Sequence, residues 1–281
     1  MPQNNSLIKV RNTMRRYSLI WSKYNNLPPP AQYHFDTMQE LIPEKIVRGT
    51  LGLEIGCGCG WDTHIMAKNN HSVRIIGLDI SDGVYTASRI NSNLKNVNII
   101  KGSAADIPLK DVSCDFIYSF GVLHHMPDYR KGFLEISRVL KPGSPCFLYL
   151  YEDHSDNKIK YFAVKMTAII RKVTTRIPPR MLYLFSCLLS PLFVIIFGIP
   201  AKIFKEFKLT YGLYEKMPFN FATSLFSIRG DIYDRFSAPV EHRFSQRTLY
   251  DILNEYNFHD VNIKKLKTIA GWVVWGYKNN V

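Results

Sequence analysis

Three glycines at alternate positions are the residues of this sequence with the clearest chemical implication. Gly56, Gly58 and Gly60 follow an apolar run that begins at Gly52. Glycine allows the backbone to turn at positive φ and leaves room for a ligand to approach the main chain. The pattern predicts a strand that ends in a tight loop, with a nucleotide-like molecule bound there. It also fits a strand-to-helix turn that binds nothing.

Acidic residues follow two later apolar segments at a spacing that suits the same ligand. Asp79 ends the run 73–78, where a βαβ unit places the acid that accepts ribose hydroxyls. Asp106 and Ile107 come after the run 97–101 and offer a carboxylate beside an apolar slot, as an adenine ring requires. A nicotinamide-dependent dehydrogenase fits less well, because its fingerprint needs the spacing G-x-G-x-x-G.

Two adjacent histidines follow the fourth apolar segment. The run 114–120 leads into His124 and His125, at the expected edge of the ligand crevice. Imidazole titrates near neutral pH, so histidine is the usual proton acceptor when a hydroxyl is the nucleophile. We therefore predict His124 as a general base, with His125 and His242 as alternatives. Each of the three also fits a packing or helix-capping role.

The elements that position these residues alternate regularly between strand and helix. Strands are predicted near 51–55, 73–78, 97–101, 114–119 and 145–151, and helices near 61–69, 83–93 and 129–139. Such alternation predicts a doubly wound α/β fold with a parallel sheet. The ligand crevice of such a sheet lies at the carboxyl ends of its strands. A helix over 246–256, capped by Ser245, and strands over 261–266 and 272–277 complete the chain.

From residue 52 to about 150, the chain resembles the class I S-adenosylmethionine-dependent methyltransferases of type 11. This broad group includes the ubiquinone and menaquinone methyltransferases. The motifs that carry the resemblance are an acid-Ile-Gly-Cys-Gly loop, an acid after the second strand, Ala-Asp-Ile-Pro-Leu at 105–109, Ser-Phe-Gly-Val-Leu-His-His at 119–125 and Leu-Lys-Pro-Gly at 140–143.

The resemblance implies a Rossmann-like sheet of seven strands, completed by the last two strands, one of them antiparallel. It also implies S-adenosylmethionine as the cofactor. Glu54 would orient the ammonium of the methionine half, Asp79 would accept the ribose hydroxyls, and Asp106 would meet adenine with the Ile107 backbone. The full set of predicted cofactor residues is Glu54, Gly56, Gly58, Gly60, Asp79, Ile80, Asp106, Ile107, Ser119 and Phe120.

The net charge of +13 is concentrated in two segments. The first 30 residues carry five lysines and arginines and no acid, and residues 155–210 carry ten against two acids. We therefore expect a basic helical arm or lid over 1–48, a methyltransferase domain over 49–154 and 241–281, and a helical insertion over 155–240. The N-terminal helix has Leu7, Val10, Met14, Tyr17 and Trp21 on one face. It is predicted to end before the prolines at 28–30, with a second helix near 35–42.

The insertion contains an uncharged run over 181–201 between Arg180 and Lys202, about as long as a bilayer span requires. One crossing would separate the last two strands from the sheet that they complete. Pro191 is expected to divide the run into two short pieces. The remaining interpretations are a hairpin that dips into one leaflet or a lid over an apolar substrate. The flanking cations favour an anionic membrane surface, and the alternative is that these helices simply cover the core of a soluble enzyme.

Together these features predict a methyltransferase that O-methylates a lipid, a quinone, a polyprenyl-linked or another apolar small molecule. An RNA methyltransferase and a non-catalytic S-adenosylmethionine-binding subunit are the alternatives. A nucleic-acid partner is not favoured, because the strand end at 119–122 lacks the Asn-Pro-Pro-aromatic element that clamps a flipped adenine. The five cysteines are odd in number and two lie in the glycine loop, which favours the reducing cytoplasm. No metal site is expected, since the Cys57 and Cys59 pair lacks zinc spacing.

Overall fold

The structure, a computed structural model, describes residues 2–23, 29–41, 47–207, 209–216, 225–266 and 271–280. The chain forms two compact units. Unit 1 comprises Met1–Asp153, Val240–Lys265 and Gly271–Val281. Unit 2 comprises His154–Pro239 and Leu266–Ala270.

Unit 1 is built on one sheet of seven strands in the order β3-β2-β1-β4-β5-β7-β6. The strands are β1 Leu51–Ile55, β2 Arg74–Asp79, β3 Val97–Lys101, β4 Phe116–Phe120, β5 Pro145–Leu150, β6 Phe258–Lys265 and β7 Trp272–Lys278. The first five strands pair in parallel, and β7 pairs antiparallel with both β5 and β6. The predicted Rossmann-like sheet of seven strands, with one antiparallel strand, is therefore confirmed.

Eleven α-helices are present in the described residues. They are α1 Pro2–Trp21, α2 Pro29–Leu41, α3 Trp61–Asn69, α4 Gly83–Ile90, α5 Tyr129–Val139, α6 Lys158–Thr174, α7 Pro179–Phe193, α8 Ile199–Glu206, α9 Tyr211–Lys216, α10 Leu225–Ser237 and α11 Gln246–Glu255. A short 3-10 helix, Leu123–His125, follows β4, and a π-helical turn, Val194–Gly198, joins α7 to α8.

The second helix begins earlier than the sequence suggested. We expected the prolines at 28–30 to lie before it, but α2 begins at Pro29. Proline is compatible with the first turn of a helix, because the N–H that it lacks has no partner within the helix there. The last residue of the predicted helix, Ile42, lies outside the described residues.

The core of unit 1 surrounds the central strands. All six residues of β5 are buried, and Leu53, Ile55 and Ile117 of β1 and β4 are fully covered. A parallel sheet covered on both faces has such continuous apolar strands, which explains why these runs were recognisable in the sequence. On α5, Phe133 and Ile136 belong to the same core cluster.

Unit 2 contains α6 to α10, and α10 packs against both α6 and α7. Helix α7, the π-helical turn and α8 follow one another without a break, so the expectation that Pro191 divides this run is wrong. Proline cannot bond the carbonyl four residues earlier, that of Cys187. The Ser190 hydroxyl donates to this carbonyl over 3.0 Å. The helix therefore loses less at the proline than the missing N–H would suggest.

By length and composition alone, Pro179–Glu206 is the helix in the described part of the chain that is long and apolar enough to cross a membrane. Only 22% of its most apolar window is buried. Most of this window is therefore exposed in the described structure.

Candidate functional site

Unit 1 contains a cavity of about 330 Å³ at the carboxyl ends of its parallel strands. Gly56 follows β1, Asp79 ends β2 and Phe120 ends β4, and all three line it. Helix α1 supplies a further wall. The α1 residues in the lining are Ser6, Leu7, Val10, Thr13, Tyr17 and Trp21. The volume lies in the range of small-molecule sites.

The glycine loop takes the backbone conformation that the sequence suggested. Gly56 has φ 77° and Gly58 has φ 53°, both in the left-handed region. A Cβ atom on Gly56 would lie 2.1 Å from Cγ2 of Val122, so a side chain does not fit there. Gly56 lines the cavity, whereas Gly58 and Gly60 lie outside its lining and shape the turn. Side chains of Trp21 and Ala87 pack against Gly58 and Gly60, respectively.

Asp79 joins the glycine loop to the turn that follows β2. Its Oδ2 accepts a hydrogen bond from the Gly58 N–H over 2.8 Å, and its Oδ1 accepts one from the Ser81 N–H over 2.7 Å. Burial raises the pKa of this carboxyl, and the hydrogen bonds from Ser81 and Gly58 oppose that rise. The carboxylate lies in the lining of the cavity, where a ligand hydroxyl could reach it. Ile80 also lines the cavity.

Glu54 lies beneath the loop rather than in the lining of the cavity. Its Oε2 accepts hydrogen bonds from the hydroxyls of Thr63 and Tyr118, the latter over 3.0 Å. Burial, with the charge of Asp62 as a smaller cause, raises the pKa of Glu54 to about 8. The carboxyl is therefore held between helix α3 and strand β4, one layer behind the surface that a ligand would touch.

The segment predicted to meet adenine contributes through its alanines. Ala104 and Ala105 line the cavity, whereas Asp106 is exposed outside the lining. The Ile107 N–H donates to Oε2 of Glu135 over 2.6 Å. That N–H, expected to meet an adenine ring, is thus already occupied by a carboxylate of α5.

Ser119 and Phe120, both predicted as cofactor residues, differ in their placement. Phe120 lines the cavity. Ser119 is buried, and its hydroxyl donates to the Ile55 carbonyl over 2.9 Å. Ser119 therefore connects β4 to the end of β1, and only Phe120 presents a surface to a ligand.

His124 lies behind the cavity, outside its lining. Its ring is completely buried and stacks on Tyr151 with a centroid distance of 3.8 Å. Neither ring nitrogen has a hydrogen-bond partner among the residues that the structure describes. Burial, followed by the charges of His125, Arg243 and His242, holds the pKa of His124 well below its usual value. The ring is therefore neutral.

His125 is the histidine that lines the cavity. Its Nδ1 lies 2.8 Å from the carbonyl oxygen of Val240. A carbonyl oxygen only accepts hydrogen bonds, so Nδ1 must carry the proton, and the lone pair of the neutral ring is on Nε2. The Tyr17 ring of α1 lies 5.5 Å away, centroid to centroid. His242, the other alternative, lies outside the lining, and burial lowers its pKa.

The arm or lid predicted over 1–48 did not specify which residues of α1 would line a cavity. The three-and-four spacing of Leu7, Val10, Tyr17 and Trp21 indicated an apolar face but not what that face covers. In the structure this face lines the cavity. The Ser18 hydroxyl accepts a hydrogen bond from the Asp82 N–H over 2.9 Å and fixes the helix to the turn after β2.

Comparison with known proteins relates the core of unit 1 to methyltransferases, as the resemblance in the sequence suggested. The family described as "Methyltransferase domain" matches residues 53–148. The demethylmenaquinone methyltransferase of Staphylococcus carnosus is 28% identical over 138 residues, which cover 48% of this chain and 57% of that protein. An O-methyltransferase of Aspergillus nomiae is 37% identical over 102 residues, covering 35% of this chain and 45% of that protein. The chain thus spans about half the length of these curated relatives.

The fold extends beyond the matched segment. A chain of the Haloferax volcanii complex between the Trm112 methyltransferase activator and a putative methyltransferase is similar to 96% of this chain, with 97% of its own length covered. The TM-score is 0.55 at 13% sequence identity, so this likeness concerns the fold alone. The family match and the sheet together show that residues 53–148 form a methyltransferase domain on a Rossmann-like sheet, and S-adenosylmethionine is the cofactor that this assignment implies.

Proposed function

We propose that the protein transfers a methyl group from S-adenosylmethionine to an oxygen of an apolar small molecule, such as a lipid, a quinone or a polyprenyl-linked compound. The observation that carries the proposal is the composition of one cavity. Asp79 and the loop residue Gly56 lie on its sheet side, and Leu7 and Val10 of α1 lie in the same lining. A polar cofactor edge and an apolar acceptor wall thus share one space.

The residues at the sheet edge fit the cofactor. Asp79 is an acid with both oxygens already oriented by backbone N–H groups, as paired ribose hydroxyls require. Ala104 and Ala105 offer small apolar surfaces for an adenine ring, and Phe120 lies below. Glu54, Gly58, Gly60, Asp106, Ile107 and Ser119 would act mainly by holding this surface in shape. When bound, S-adenosylmethionine supplies a methyl carbon activated by a sulfonium.

His125 is our candidate for the general base. Nε2 of His125 would accept the hydroxyl proton of the acceptor as the acceptor oxygen takes the methyl group that S-adenosylmethionine would supply, with the sulfur leaving as a neutral thioether. The Val240 carbonyl holds the ring in the tautomer that this step needs. His124, the base predicted from the sequence, would instead support the position of His125 from outside the cavity. Its ring packs between His125 and Tyr151.

The apolar α1 wall supports this acceptor class, and so do the names of two relatives, one of which specifies a menaquinone and the other an O-methylation. Such acceptors dissolve in membranes. We place the protein in the cytoplasm, at the cytoplasmic face of a membrane, because its excess positive charge would be attracted to anionic lipids.

The test is methyl transfer from labelled S-adenosylmethionine into lipid extracts, followed by mass spectrometry. The expected product is a methylated apolar compound, and the Asp79→Ala variant should form much less of it at a cofactor concentration below saturation. Label found only in RNA would contradict the acceptor class. Cofactor binding without transfer to any extract would favour a non-catalytic subunit instead.

A further inference from the structure

The helical run from α7 through α8 carries its large apolar side chains on the outside. The exposed residues repeat every three or four positions, so they share one face of the helix. They are Met181, Leu184, Phe185, Leu188, Leu189, Leu192, Ile195, Ile196, Ile199 and Ile203. Water-soluble proteins rarely expose a continuous apolar patch of this extent without a partner to cover it.

The opposite face of the same run is buried and consists mainly of small residues. Its buried members are Leu182, Ser186, Ser190, Gly198 and Ala201. The Ser186 hydroxyl donates to the Leu182 carbonyl over 2.9 Å, and the Ser190 hydroxyl is satisfied in the same way. Helix α10 packs against α7, and its buried Ile228 and Ile232 contact the partly buried Phe193, Val194 and Phe197 of the same run. Small residues inside and large aliphatic residues outside are typical of helices that contact lipid.

Helix α6 adds a second apolar strip with the same property. Phe162, Met166, Ile169, Ile170 and Val173 are all exposed and follow helical spacing. Exposed cations accompany the two strips. They are Lys165, Lys172, Arg176, Arg180, Lys202 and Lys205. Glu206 is the only acid from residue 158 to residue 206.

We infer that the two strips, together called the lipid face, insert into one leaflet of an anionic bilayer and make the protein an integral monotopic membrane protein. The cations lie at the phosphate level, and the aliphatic side chains replace acyl chains below it. This deepens the membrane location proposed above and does not depend on methyl transfer.

Two other environments for the lipid face are less compatible with the chain. A second copy packed through this face would bring two sets of cations together, which costs energy through like-charge repulsion. A single crossing is excluded by topology, because Met1–Asp153 and Val240–Lys265 contribute strands to one sheet and must lie on one side of the membrane.

The experiment is flotation of the full-length protein with phosphatidylcholine vesicles, with and without phosphatidylglycerol, in the absence of S-adenosylmethionine. The test variant is Leu184→Glu combined with Leu188→Glu, at residues that are 59% and 66% exposed. The matched control is Leu134→Glu on α5, whose side chain is 54% exposed in unit 1. We expect partitioning to fall at least tenfold in the test variant, since a buried carboxylate is costly in hydrocarbon, and to be unchanged in the control.

Salt separates insertion from charge attraction. At about 1 M salt, where charges are screened beyond about 3 Å, the wild-type protein should remain on the vesicles in large part. Complete release by salt, or equal loss in the test and control variants, would overturn the inference. A lipid-free dimer in light scattering that the test variant converts to a monomer would also overturn it. Loss of S-adenosylmethionine binding bears on the proposed function alone.

Discussion

Helix α5 in unit 1 and the α7–α8 run in unit 2 repeat apolar residues at similar spacing. Helix α5 buries its apolar face, whereas the α7–α8 run exposes the face that carries its large apolar residues. Helix α5 buries Phe133 and Ile136 and exposes charged residues such as Arg130, which pairs with Glu255. The α7–α8 run buries Leu182 together with serine, glycine and alanine, and it exposes its other leucines and its isoleucines. Periodicity therefore identifies a face, but the environment of that face is decided by what covers it. The apolar face of α5 is covered within unit 1, whereas the apolar face of the α7–α8 run is exposed.

The largest expected effect tests whether the general base lies in unit 1 and acts independently of vesicle binding by unit 2. We expect His125→Gln to lower turnover by roughly 10² to 10⁴, because the proton acceptor is lost, with vesicle binding unchanged. His71→Gln, at an exposed histidine of unit 1, is the control and should be fully active. Rates with labelled S-adenosylmethionine and a thermal melt measure both variants. Full activity in His125→Gln, with loss in a folded His124→Gln variant, would return the base role to His124.

The second prediction compares the two apolar faces directly. Phe133→Ala removes a fully buried ring and should lower the free energy of unfolding by about 3–5 kcal/mol. Leu188→Ala removes an exposed side chain and, without lipid, should change it by less than about 0.5 kcal/mol. Urea denaturation followed by circular dichroism measures both. A large loss for Leu188→Ala in lipid-free protein would show that the leucine is covered by protein.

A smaller effect concerns cofactor affinity. Asp79→Ala should weaken S-adenosylmethionine binding by about 10- to 100-fold, because hydrogen bonds to a charged acceptor contribute about 1.5–3 kcal/mol. The variant also frees the N–H groups of Gly58 and Ser81, so the loop loses its fixed shape. Calorimetry measures the affinity, with the exposed Asp251→Ala as control. Unchanged affinity would remove Asp79 from the site.

The sheet and the glycine loop were predictable because their signals are local. A parallel strand buried on both faces is recognisable as an apolar run in the sequence. A glycine directly after such a run indicates a turn at positive φ. Leu53, Ile55 and Gly56, within residues 53–56, illustrate this. The cap at Ser245 is local in the same sense, since its hydroxyl accepts from the Thr248 N–H over 3.1 Å.

Features that depend on tertiary packing were not predictable. His124 and His125 are neighbours in a 3-10 turn, and only the position of Val240, more than a hundred residues away, decides which ring is held at the cavity. The rule that proline breaks helices failed at Pro191, because Ser190 offers a local hydrogen bond in its place. What the apolar face of α1 covers also depends on tertiary packing, because residues distant in the chain line the same cavity.

The last prediction concerns the pH dependence that a buried carboxyl gives to unit 1. The pKa of Glu54 is raised by burial from 4.5 to about 8 in the folded chain, so the folded state keeps a proton that the unfolded state releases between these values. Stability must therefore fall as pH rises through this window, by at most about 1.4 kcal/mol per pH unit. In Glu54→Gln the amide oxygen still accepts from Thr63 and Tyr118, but nothing titrates. Its unfolding free energy should vary less between pH 5 and 8 than that of the wild type, while the exposed Glu40→Gln control should follow the wild type. Parallel curves for all three proteins in urea denaturation would show that Glu54 is ionised in the folded state, and that the layer behind the glycine loop is less shielded from water than its burial implies.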